Sequence, residues 1–252
     1  MPHRKKVLWL IKGLGTGGAE KLLSTAIPFL NRGAFDYEMA YLLSQKNDLI
    51  KEFKSADIPI FCLNVRTSFD FRSSYRLFRL LRDRKPEILH IHLPYTGIIG
   101  RVIGRLAGIE NIIYTEHSIM EMYLPITRML NLITYPLNDV TIAVSEEVQR
   151  SIARYKITRH CEPIVIHNGI SLDQLNRYGK NEGQTKQALG IPSNHKIIGN
   201  VAHIRPEKGQ EYLIRAAKLV INQLPEVTFV VVGRQKSGGD INHLKNLSAS
   251  LG

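Results

Sequence analysis

Four residues in the last fifth of the sequence have the types and spacing of an anion-binding site. A short apolar segment ends at residue 202, and a loop with His203, Arg205 and Lys208 leads to Gly209, where a segment of helical periodicity begins. Cationic side chains beside a helix N-terminus favour phosphate, because the free backbone N–H groups and the helix dipole also attract negative charge. We therefore expect this loop to bind a phosphate-bearing ligand.

A glycine-rich loop, residues 13–18, follows the first apolar segment. Gly13, Gly15 and Gly18 satisfy the G-x-G-x-x-G pattern of dinucleotide-binding proteins. That pattern also needs an acidic residue at the end of the second strand, which this sequence lacks, so a nicotinamide-dependent oxidoreductase is disfavoured. A turn that requires glycine explains Gly13 and Gly15 better than it explains the pair Gly17 and Gly18, where the backbone can approach a phosphate or sugar closely.

Polar residues also stand where later apolar segments end. His90 and His92 belong to the segment 88–92, whereas His117 comes directly after the next segment. Ligands of open parallel sheets bind outside the carboxyl ends of the strands, so His117 is a candidate ligand contact, while His90 and His92 are interpreted as structural. Ser145 is expected to cap the helix that follows it. The sequence has no DxD pair and no cluster with metal-ligand spacing, which predicts a site without metal.

The elements that must position these residues alternate regularly along the chain. Predicted strands occupy residues 7–11, 37–43, 60–63, 88–92, 112–115, 141–144 and 164–166. Predicted helices lie at residues 19–30, 49–56, 73–84, 95–107, 123–137 and 146–155. Strands rich in Ile and Val that alternate with helices are typical of an α/β fold, in which helices cover both faces of a doubly wound parallel sheet.

A polar segment divides the chain. We predict an N-terminal domain at residues 1–175, a linker at 176–195 and a second, incomplete domain at 196–252, where a strand, a helix and a strand lead to Gly233. A full companion domain would need far more chain. The strands of the incomplete second domain are therefore expected to have poorly covered apolar faces, which favours association or low stability.

The chain is strongly basic, with 34 Lys and Arg against 22 Asp and Glu and a net charge of +12. If residues 73–84 are helical, Arg72, Arg76, Arg79 and Arg82 form one stripe. Such a stripe suits anionic lipid headgroups, at about 1 kcal/mol per basic residue, although a solvated helix face explains it equally well. Nucleic acid is disfavoured as a partner, because the stripe has no interleaved aromatics and the chain no recognised nucleic-acid motif.

Targeting signals are not evident in the sequence. The first apolar run, residues 7–11, is too short for a signal-peptide core or a membrane span, and the 2 cysteines provide neither a disulfide framework nor metal-ligand spacing. We therefore expect a cytoplasmic protein that reaches the inner face of the membrane if the basic stripe acts there.

Five short motifs then occur in order: GGAE at 17–20, TEH at 115–117, VS at 144–145, VIHNGI at 165–170 and RPEKG at 205–209. Each is weak alone, but together and at this spacing they resemble glycosyltransferase family 4, a retaining family of the GT-B fold. The resemblance covers nearly the whole chain. It implies a complete N-terminal Rossmann-like domain and the first βαβ part of a second Rossmann-like domain, the one that holds the sugar nucleotide.

The resemblance also implies roles for residues of the N-terminal domain. Gly17 and Gly18 would line a cleft near the donor diphosphate, and His117 would reach the donor sugar. Asn168 and Gly169 would lie beside an interdomain hinge.

In the second domain the resemblance implies that Lys208 holds the diphosphate and that Gly233 lies near the base. It implies no metal and no cofactor, since the nucleoside-diphosphate sugar is itself the donor substrate. Family members usually carry an arginine five positions before the lysine, where this sequence has His203. Arg205 is a possible substitute, although Arg and His present their donors differently. The family's paired glutamates, which hold the ribose and face the sugar, would lie beyond residue 252.

One function follows from these expectations. The chain is predicted to transfer a hexose, with retention, from a nucleoside-diphosphate sugar to a saccharide or lipid-linked acceptor in the synthesis of surface polysaccharide or glycoconjugate. The alternative is a non-catalytic, truncated remnant that binds sugar nucleotide or a membrane surface without turnover.

Overall fold

A computed structural model describes residues 3–65, 71–157, 162–172, 176, 182–235 and 238–251. The chain divides into two compact units, an N-terminal unit (Met1–Ser171) and a C-terminal unit (Leu172–Gly252). Each unit has its own parallel sheet, and each is described separately below.

The N-terminal unit is built on a sheet of seven strands. In chain order these are β1 (Lys5–Ile11), β2 (Phe35–Tyr41), β3 (Ile60–Cys62), β4 (Ile88–His92), β5 (Asn111–Glu116), β6 (Val140–Ala143) and β7 (Ile164–Val165). All neighbouring pairs are parallel, and the spatial order is β3-β2-β1-β4-β5-β6-β7. The seven strands predicted from the sequence are therefore confirmed, with ends that differ by at most two residues.

Among the described residues of this unit, six α-helices connect the strands. They are α1 (Gly18–Ala26), α2 (Ile50–Lys54), α3 (Phe71–Arg84), α4 (Pro94–Leu106), α5 (Pro125–Thr134) and α6 (Glu146–Ala153). Single turns of 3-10 helix extend α1 and α5, at Ile27–Phe29 and Tyr135–Leu137, and another, Met120–Met122, precedes α5. The prediction of six helices is confirmed, and the helix over 19–30 becomes an α-helix followed by a 3-10 turn at Pro28.

The two faces of this sheet are covered unequally. One face carries Leu8, Leu89 and Tyr114, all fully buried, and packs against residues of α3, α4 and α6. On the other face, α1 and α2 cover the part of the sheet that β1 and β2 form. Beyond β1, however, this second face opens into a largely apolar groove of about 420 Å³ that reaches Ile142. The expectation that helices cover both faces therefore holds for only part of the sheet.

The C-terminal unit repeats the same βαβ arrangement on a smaller scale. Its elements are α7 (Glu182–Ala188), β8 (Lys196–Val201), α8 (Gln210–Ile221), β9 (Val227–Val232) and α9 (Ile241–Leu251). The strands β8 and β9 pair in parallel along their whole lengths. A second largely apolar groove, of about 520 Å³, lies between α8, β9 and α9.

The boundaries 1–175, 176–195 and 196–252 remain a prediction. Helix α7 lies inside the segment predicted as a linker, and the two compact units meet at Ser171 and Leu172. Residues 177–181 of that segment fall outside the described residues, as does Cys161.

Candidate functional site

The N-terminal sheet reverses its strand order between β1 and β4, and the loops that follow these two strands lie side by side. Connections from β1 run to one side and those from β4 to the other, which leaves a crevice at the carboxyl edge where ligands of open α/β sheets bind. The loops are close enough that Lys12 Nζ lies 5.7 Å from the ring centre of Tyr95. Leu93, in the β4 loop, has a φ of 73°, a strained conformation for a residue with a side chain.

The glycines of the first loop have different reasons to be glycine. A Cβ at Gly13 would lie 2.7 Å from Lys46 Cβ, so packing requires glycine there, whereas a Cβ at Gly17 would meet only the carboxylate of Glu20, the movable end of a flexible side chain. A Cβ at Gly18 would meet nothing within 4 Å. Gly18 is also the first residue of α1. The open space for a ligand against the backbone is therefore at Gly18, where the helix dipole favours an anion.

Three histidines stack where β4 and β5 end. His90, His92 and His117 lie on one face because residues two apart in a strand point the same way. His92 Nδ1 is 3.1 Å from His117 Nε2, and His90 Nε2 is 2.8 Å from the Thr115 hydroxyl. The rings of His90 and His92 are 4.3 Å apart between centroids. His92, interpreted from the sequence as structural, is thus in direct contact with the candidate residue His117.

Burial keeps this cluster uncharged near neutral pH. Desolvation lowers the pKa of His117 to about 4, and desolvation with a smaller effect of His117 lowers the pKa of His90 to about 4. The pKa of His92 is also lowered, first by burial and then by its two neighbours. Because His92 occupies Nε2 of His117, the other ring nitrogen of His117, Nδ1, is the atom suited to meet a ligand. A neutral imidazole there acts as a hydrogen-bonding group.

Glu116, the central residue of the TEH motif, is buried in a polar network below the histidines. Its carboxylate accepts hydrogen bonds from Tyr114 Oη at 3.1 Å, from Tyr123 Oη, and from Asn131 Nδ2 at 3.4 Å. Burial raises the pKa of Glu116, and these hydrogen bonds act in the opposite direction. The network fixes the end of β5 and with it the backbone of His117, so Glu116 has a positioning role that the motif alone did not reveal.

A fully buried arginine extends the same network. Arg101, on α4, donates to Asn138 Oδ1 and Asn131 Oδ1, both at 2.8 Å, and to Thr134 Oγ1 at 3.0 Å. Its guanidinium carbon lies 4.1 Å from the centre of the Tyr114 ring. Buried guanidinium groups need such a set of acceptors and aromatic faces to offset the loss of hydration.

Asn168 and Gly169 follow β7 at the same edge of the sheet. Asn168 lines the 420 Å³ groove together with His90 and His92. The preceding residue, His167, has its Nε2 3.1 Å from Glu146 Oε1 in the first turn of α6. Ser145 caps α6 by accepting from Val148 N at 3.3 Å, as predicted from the sequence.

The cationic loop of the C-terminal unit follows β8. Its residues 206–208 form a 3-10 turn, and Gly209 has a φ of 68°, the left-handed conformation that favours glycine, directly before α8. Arg205 Nε is 2.7 Å from Glu207 Oε1, whereas Lys208 is exposed. Gln210, almost fully buried, donates from Nε2 to the backbone oxygen of His203 at 3.0 Å and so holds the loop in place.

Gly233 directly follows β9 and lies against the backbone of the same loop. A Cβ at this position would overlap the carbonyl of Ala202, which precedes His203. Glycine is therefore required here by the contact between two backbone segments, independently of any ligand.

Two further expectations concern acids and metals. Glu38, on β2, is buried and forms an ion pair with Arg84, so it is committed to a structural contact. Within the described ranges, no three His, Cys, Asp or Glu side chains gather as a metal site would require. The metal-free site remains a prediction.

The predicted basic stripe lies on α3. Arg72, Arg76, Arg79 and Arg82 are exposed, while Leu77 and Leu81 on the opposite side are buried. Arg76 also donates to the backbone oxygen of Leu63 at 2.9 Å. Among the described helices, none combines the length and the apolar character needed to cross a bilayer.

Comparison with known proteins relates this chain to several sugar-nucleotide enzymes. It is 27% identical over 199 residues to UDP-Gal:alpha-D-GlcNAc-diphosphoundecaprenol alpha-1,3-galactosyltransferase of Escherichia coli, covering 74% of this chain and 50% of the relative. It is 22% identical over 218 residues to the capsular polysaccharide biosynthesis glycosyltransferase CapM of Staphylococcus aureus, covering 82% and 52%. The chain thus spans about half the length of these curated relatives.

A solved structure shows the same fold. Anabaena Alr3699/HepE in complex with UDP-glucose superimposes with a TM-score of 0.78 at 20% identity, covering 98% of this chain and 66% of that one. The fold class predicted from the sequence, GT-B-like with a Rossmann-like parallel sheet, is confirmed. A family model described as Glycosyl transferases group 1 matches residues 181–252, and one described as Glycosyltransferase Family 4 matches residues 17–174, well over half of the chain. The chain belongs to glycosyltransferase family 4.

Proposed function

We propose that this chain supplies the acceptor-side domain and part of the donor-side domain of a hexosyltransferase. It would transfer a hexose, with retention, from a nucleoside-diphosphate sugar to a saccharide or lipid-linked acceptor in surface polysaccharide or glycoconjugate synthesis. The observation that carries the proposal is the position of Gly18, His92 and His117 at one carboxyl edge of the sheet in a member of a sugar-transferring family.

Uracil is the base we propose for the donor. The Escherichia coli relative is named for UDP-Gal, and the Anabaena structure contains UDP-glucose. The acceptor is proposed to be lipid-linked for a parallel reason, because the same relative is named for a GlcNAc-diphosphoundecaprenol acceptor.

In the N-terminal unit, His117 orients the donor sugar and does not attack it. Its pKa of about 4 keeps the imidazole neutral at pH 7, so Nδ1 exchanges a hydrogen bond with a sugar hydroxyl while Nε2 stays with His92. His92 thereby fixes the ring plane of His117. The TEH motif contains only His117, but the contact with the sugar also needs His92 to hold the His117 ring in place.

In the C-terminal unit, Lys208 and Arg205 bind the diphosphate. The bond between the anomeric carbon and the diphosphate breaks during transfer, and the departing group gains negative charge that nearby cations and helix N-termini stabilise. His203 replaces the usual arginine of the family and contributes a hydrogen-bonding group. Gly233 lies near the base.

The basic stripe on α3 (Arg72, Arg76, Arg79 and Arg82) is proposed to contact anionic headgroups at the inner face of the membrane, where a lipid-linked acceptor is found. Four exposed arginines on one helix side provide the charge for such a contact. Neutralising Arg72, Arg79 and Arg82 together is expected to weaken binding to anionic vesicles, and unchanged binding would leave the stripe as a solvated surface.

The first experiment is a thermal melt of the chain with UDP, UDP-glucose, UDP-galactose, GDP, ADP and NAD. A ligand at a hundred times its dissociation constant stabilises by about 2.7 kcal/mol. We expect stabilisation by the uridine compounds, lost in Lys208→Ala and retained in Lys196→Ala, which removes the same charge from the opposite end of β8.

Turnover decides between the proposed enzyme and its non-catalytic alternative. With UDP-galactose and a short-chain lipid diphosphate-GlcNAc acceptor, wild-type chain should release UDP, and His117→Ala should lose most of that rate while it still binds UDP. Nucleotide binding without any turnover would favour the alternative, a remnant that only binds. Stabilisation by NAD alone would overturn the assignment to sugar nucleotides.

A further inference from the structure

Helix α5 places its apolar residues toward solvent. Ile126 is 58% exposed, Met129 48% and Ile133 66%. These positions recur every three to four residues, so they form a continuous stripe on one side of the helix. In a globular domain the apolar stripe of an amphipathic helix normally faces the core, so α5 is oriented the opposite way.

The inner side of α5 explains this orientation. Asn131 and Thr134 are buried, and both accept hydrogen bonds from the buried guanidinium of Arg101. Rotating α5 to bury its apolar stripe would leave Arg101 without these two acceptors, at the cost of an unpaired buried charge. The polar network below His117 therefore holds the apolar stripe at the surface.

Neighbouring segments extend the stripe into a larger surface, which we call the apolar face. Leu124 and Met122 precede α5 and are strongly exposed, and Leu106 is exposed at the end of α4, which packs beside α5. The apolar face consists of Leu106, Met122, Leu124, Ile126, Met129 and Ile133. Contiguous exposed apolar surface of this kind marks a contact with a membrane or a protein.

The charged residues of the surrounding helices indicate which of these two partners, a membrane or a protein, fits the apolar face. Helices α3, α4 and α5 contain eight arginines and one aspartate, and the four exposed arginines all lie on α3. The acid beside Met122, Glu121, is ion-paired with Arg154. Helix α4 packs against both α3 and α5, so the helix of the basic stripe and the helix of the apolar face lie on either side of α4. An apolar surface flanked by arginine and almost free of acid is the pattern of helices that lie in an anionic lipid interface.

We propose that the apolar face inserts into the interfacial region of an anionic bilayer, with α5 parallel to the membrane plane. The apolar side chains of α5 and of the preceding turn enter the acyl boundary, and the arginines of α3 contact the headgroups beside them. This proposal rests on the membrane contact included in the proposed function and adds an apolar anchor to it. Its tests contain no sugar nucleotide or acceptor, so they succeed or fail independently of glycosyl transfer.

The first test measures binding of the chain to vesicles of 70% phosphatidylcholine and 30% phosphatidylglycerol. The double substitution Ile126→Ser and Ile133→Ser should weaken the partition coefficient at least about a hundredfold, because each Ile loses more than about 1.4 kcal/mol of apolar burial, which is about tenfold per site. The matched control is Phe29→Ser, which removes an even more exposed apolar side chain from the 3-10 turn after α1 and should leave binding unchanged.

Salt distinguishes insertion from simple charge attraction. At about 1 M salt the Debye length falls to about 3 Å, so binding carried by exposed arginines alone is screened. Part of the wild-type binding should survive at that salt, and the surviving part should be absent from the double variant. Binding that salt abolishes in wild-type chain and double variant alike would overturn the proposal.

A second test measures how deeply α5 enters the bilayer. The chain has one tryptophan, Trp9, which is buried, so Met129→Trp adds a single exposed reporter. Lipids brominated near the headgroup end of the acyl chain should quench the fluorescence of Met129→Trp and leave the wild-type signal unchanged. A vesicle-bound Met129→Trp chain that is not quenched would overturn insertion.

The competing occupant is a second copy of the chain. Sedimentation without lipid should show the same mass for wild-type and for the double variant, whose thermal melt should match wild-type because both sites are exposed. A concentration-dependent dimer that the double substitution dissociates would assign the apolar face to self-association and overturn the proposal.

Discussion

The two units of this chain contain the same βαβ pattern, yet they bury it differently. In the N-terminal unit, five of the seven residues of β1 are buried. In the C-terminal unit, β8 has no buried residue, and Val201 at its end is 82% exposed. Strand β8 is less apolar than β1, but its apolar residues Ile197, Ile198 and Val201 are exposed as well, so residue type alone does not cause the difference.

The elements that pack beside each strand cause this difference in burial. Strand β1 pairs with β2 and β4 and carries helices on both faces, whereas β8 pairs with β9 alone among the described strands. Two-stranded sheets are marginal in water, and parallel strands need cover on both faces. The N-terminal unit should therefore be stable by itself, and the C-terminal unit should depend on what it binds.

The largest expected effect comes from removing the buried charge of the N-terminal unit. Arg101→Met leaves the side-chain acceptors of Asn131, Thr134 and Asn138 unpaired, and the unfolding free energy should fall by about 3 to 5 kcal/mol. Urea unfolding followed by the fluorescence of Trp9, which lies in the core of this unit, measures the loss. Arg79→Met, an exposed control, should change stability by less than about 0.5 kcal/mol. An equal loss in both variants would contradict the structural role of Arg101.

Acid should also affect the two units differently. The folded His90 and His117 stay neutral down to a pKa of about 4, whereas unfolded histidine takes up a proton near 6.5. Between these pH values the unfolded chain binds more protons, so the unfolding free energy falls as pH decreases, by about 1.4 kcal/mol per pH unit for each histidine. Unfolding of the N-terminal unit, followed through Trp9, should show this slope.

The slope should be shallower in His90→Gln and unchanged in His243→Gln, since His243 lies in the C-terminal unit with an exposed side chain. Parallel pH profiles for wild-type and His90→Gln would mean that the buried histidines do not cause the acid sensitivity.

A third substitution acts on the C-terminal unit alone. In Gly233→Ala the added methyl group meets the backbone of Ala202, and overpacking of this kind costs about 1 to 3 kcal/mol. Amide hydrogen exchange in β8 and β9 should accelerate, while the Trp9 transition stays unchanged. Gly199→Ala is the matched control, because a Cβ there meets nothing within 4 Å. Faster exchange in both variants would argue against the backbone contact at Gly233.

The smallest expected losses of stability come from substitutions at the N-terminus of one helix in each unit, α6 and α8. Ser145→Ala removes the side-chain cap of α6 and should cost about 1 kcal/mol, visible in the Trp9 transition. Gly209→Ala places a Cβ in the left-handed conformation before α8 and should cost about 1 to 2 kcal/mol in the C-terminal unit only. Loss of stability in the N-terminal unit on Gly209→Ala would contradict separate stabilisation of the two units.

Much of this comparison was predictable from the sequence. The apolar segments of the sequence predicted β4 to the residue, because the pattern of apolar residues is a local signal. The sequence also predicts Ser145 as a helix cap, because capping depends on residues next to one another in the chain. The contact between His92 and His117 was not predicted, since it requires β4 and β5 to be neighbours. The need for glycine at positions 13 and 233 depends on contacts with Lys46 and Ala202.

The sequence by itself determined the order of strands and helices, the family, and the residues available for chemistry, because each depends on local pattern or on motifs in a fixed order. Only the tertiary structure decided which side of α5 faces solvent, since Arg101 draws Asn131 and Thr134 inward from 30 or more residues away. It also decided that the histidines near the carboxyl edge are neutral. Burial sets their pKa values, and burial is a property of the assembled sheet.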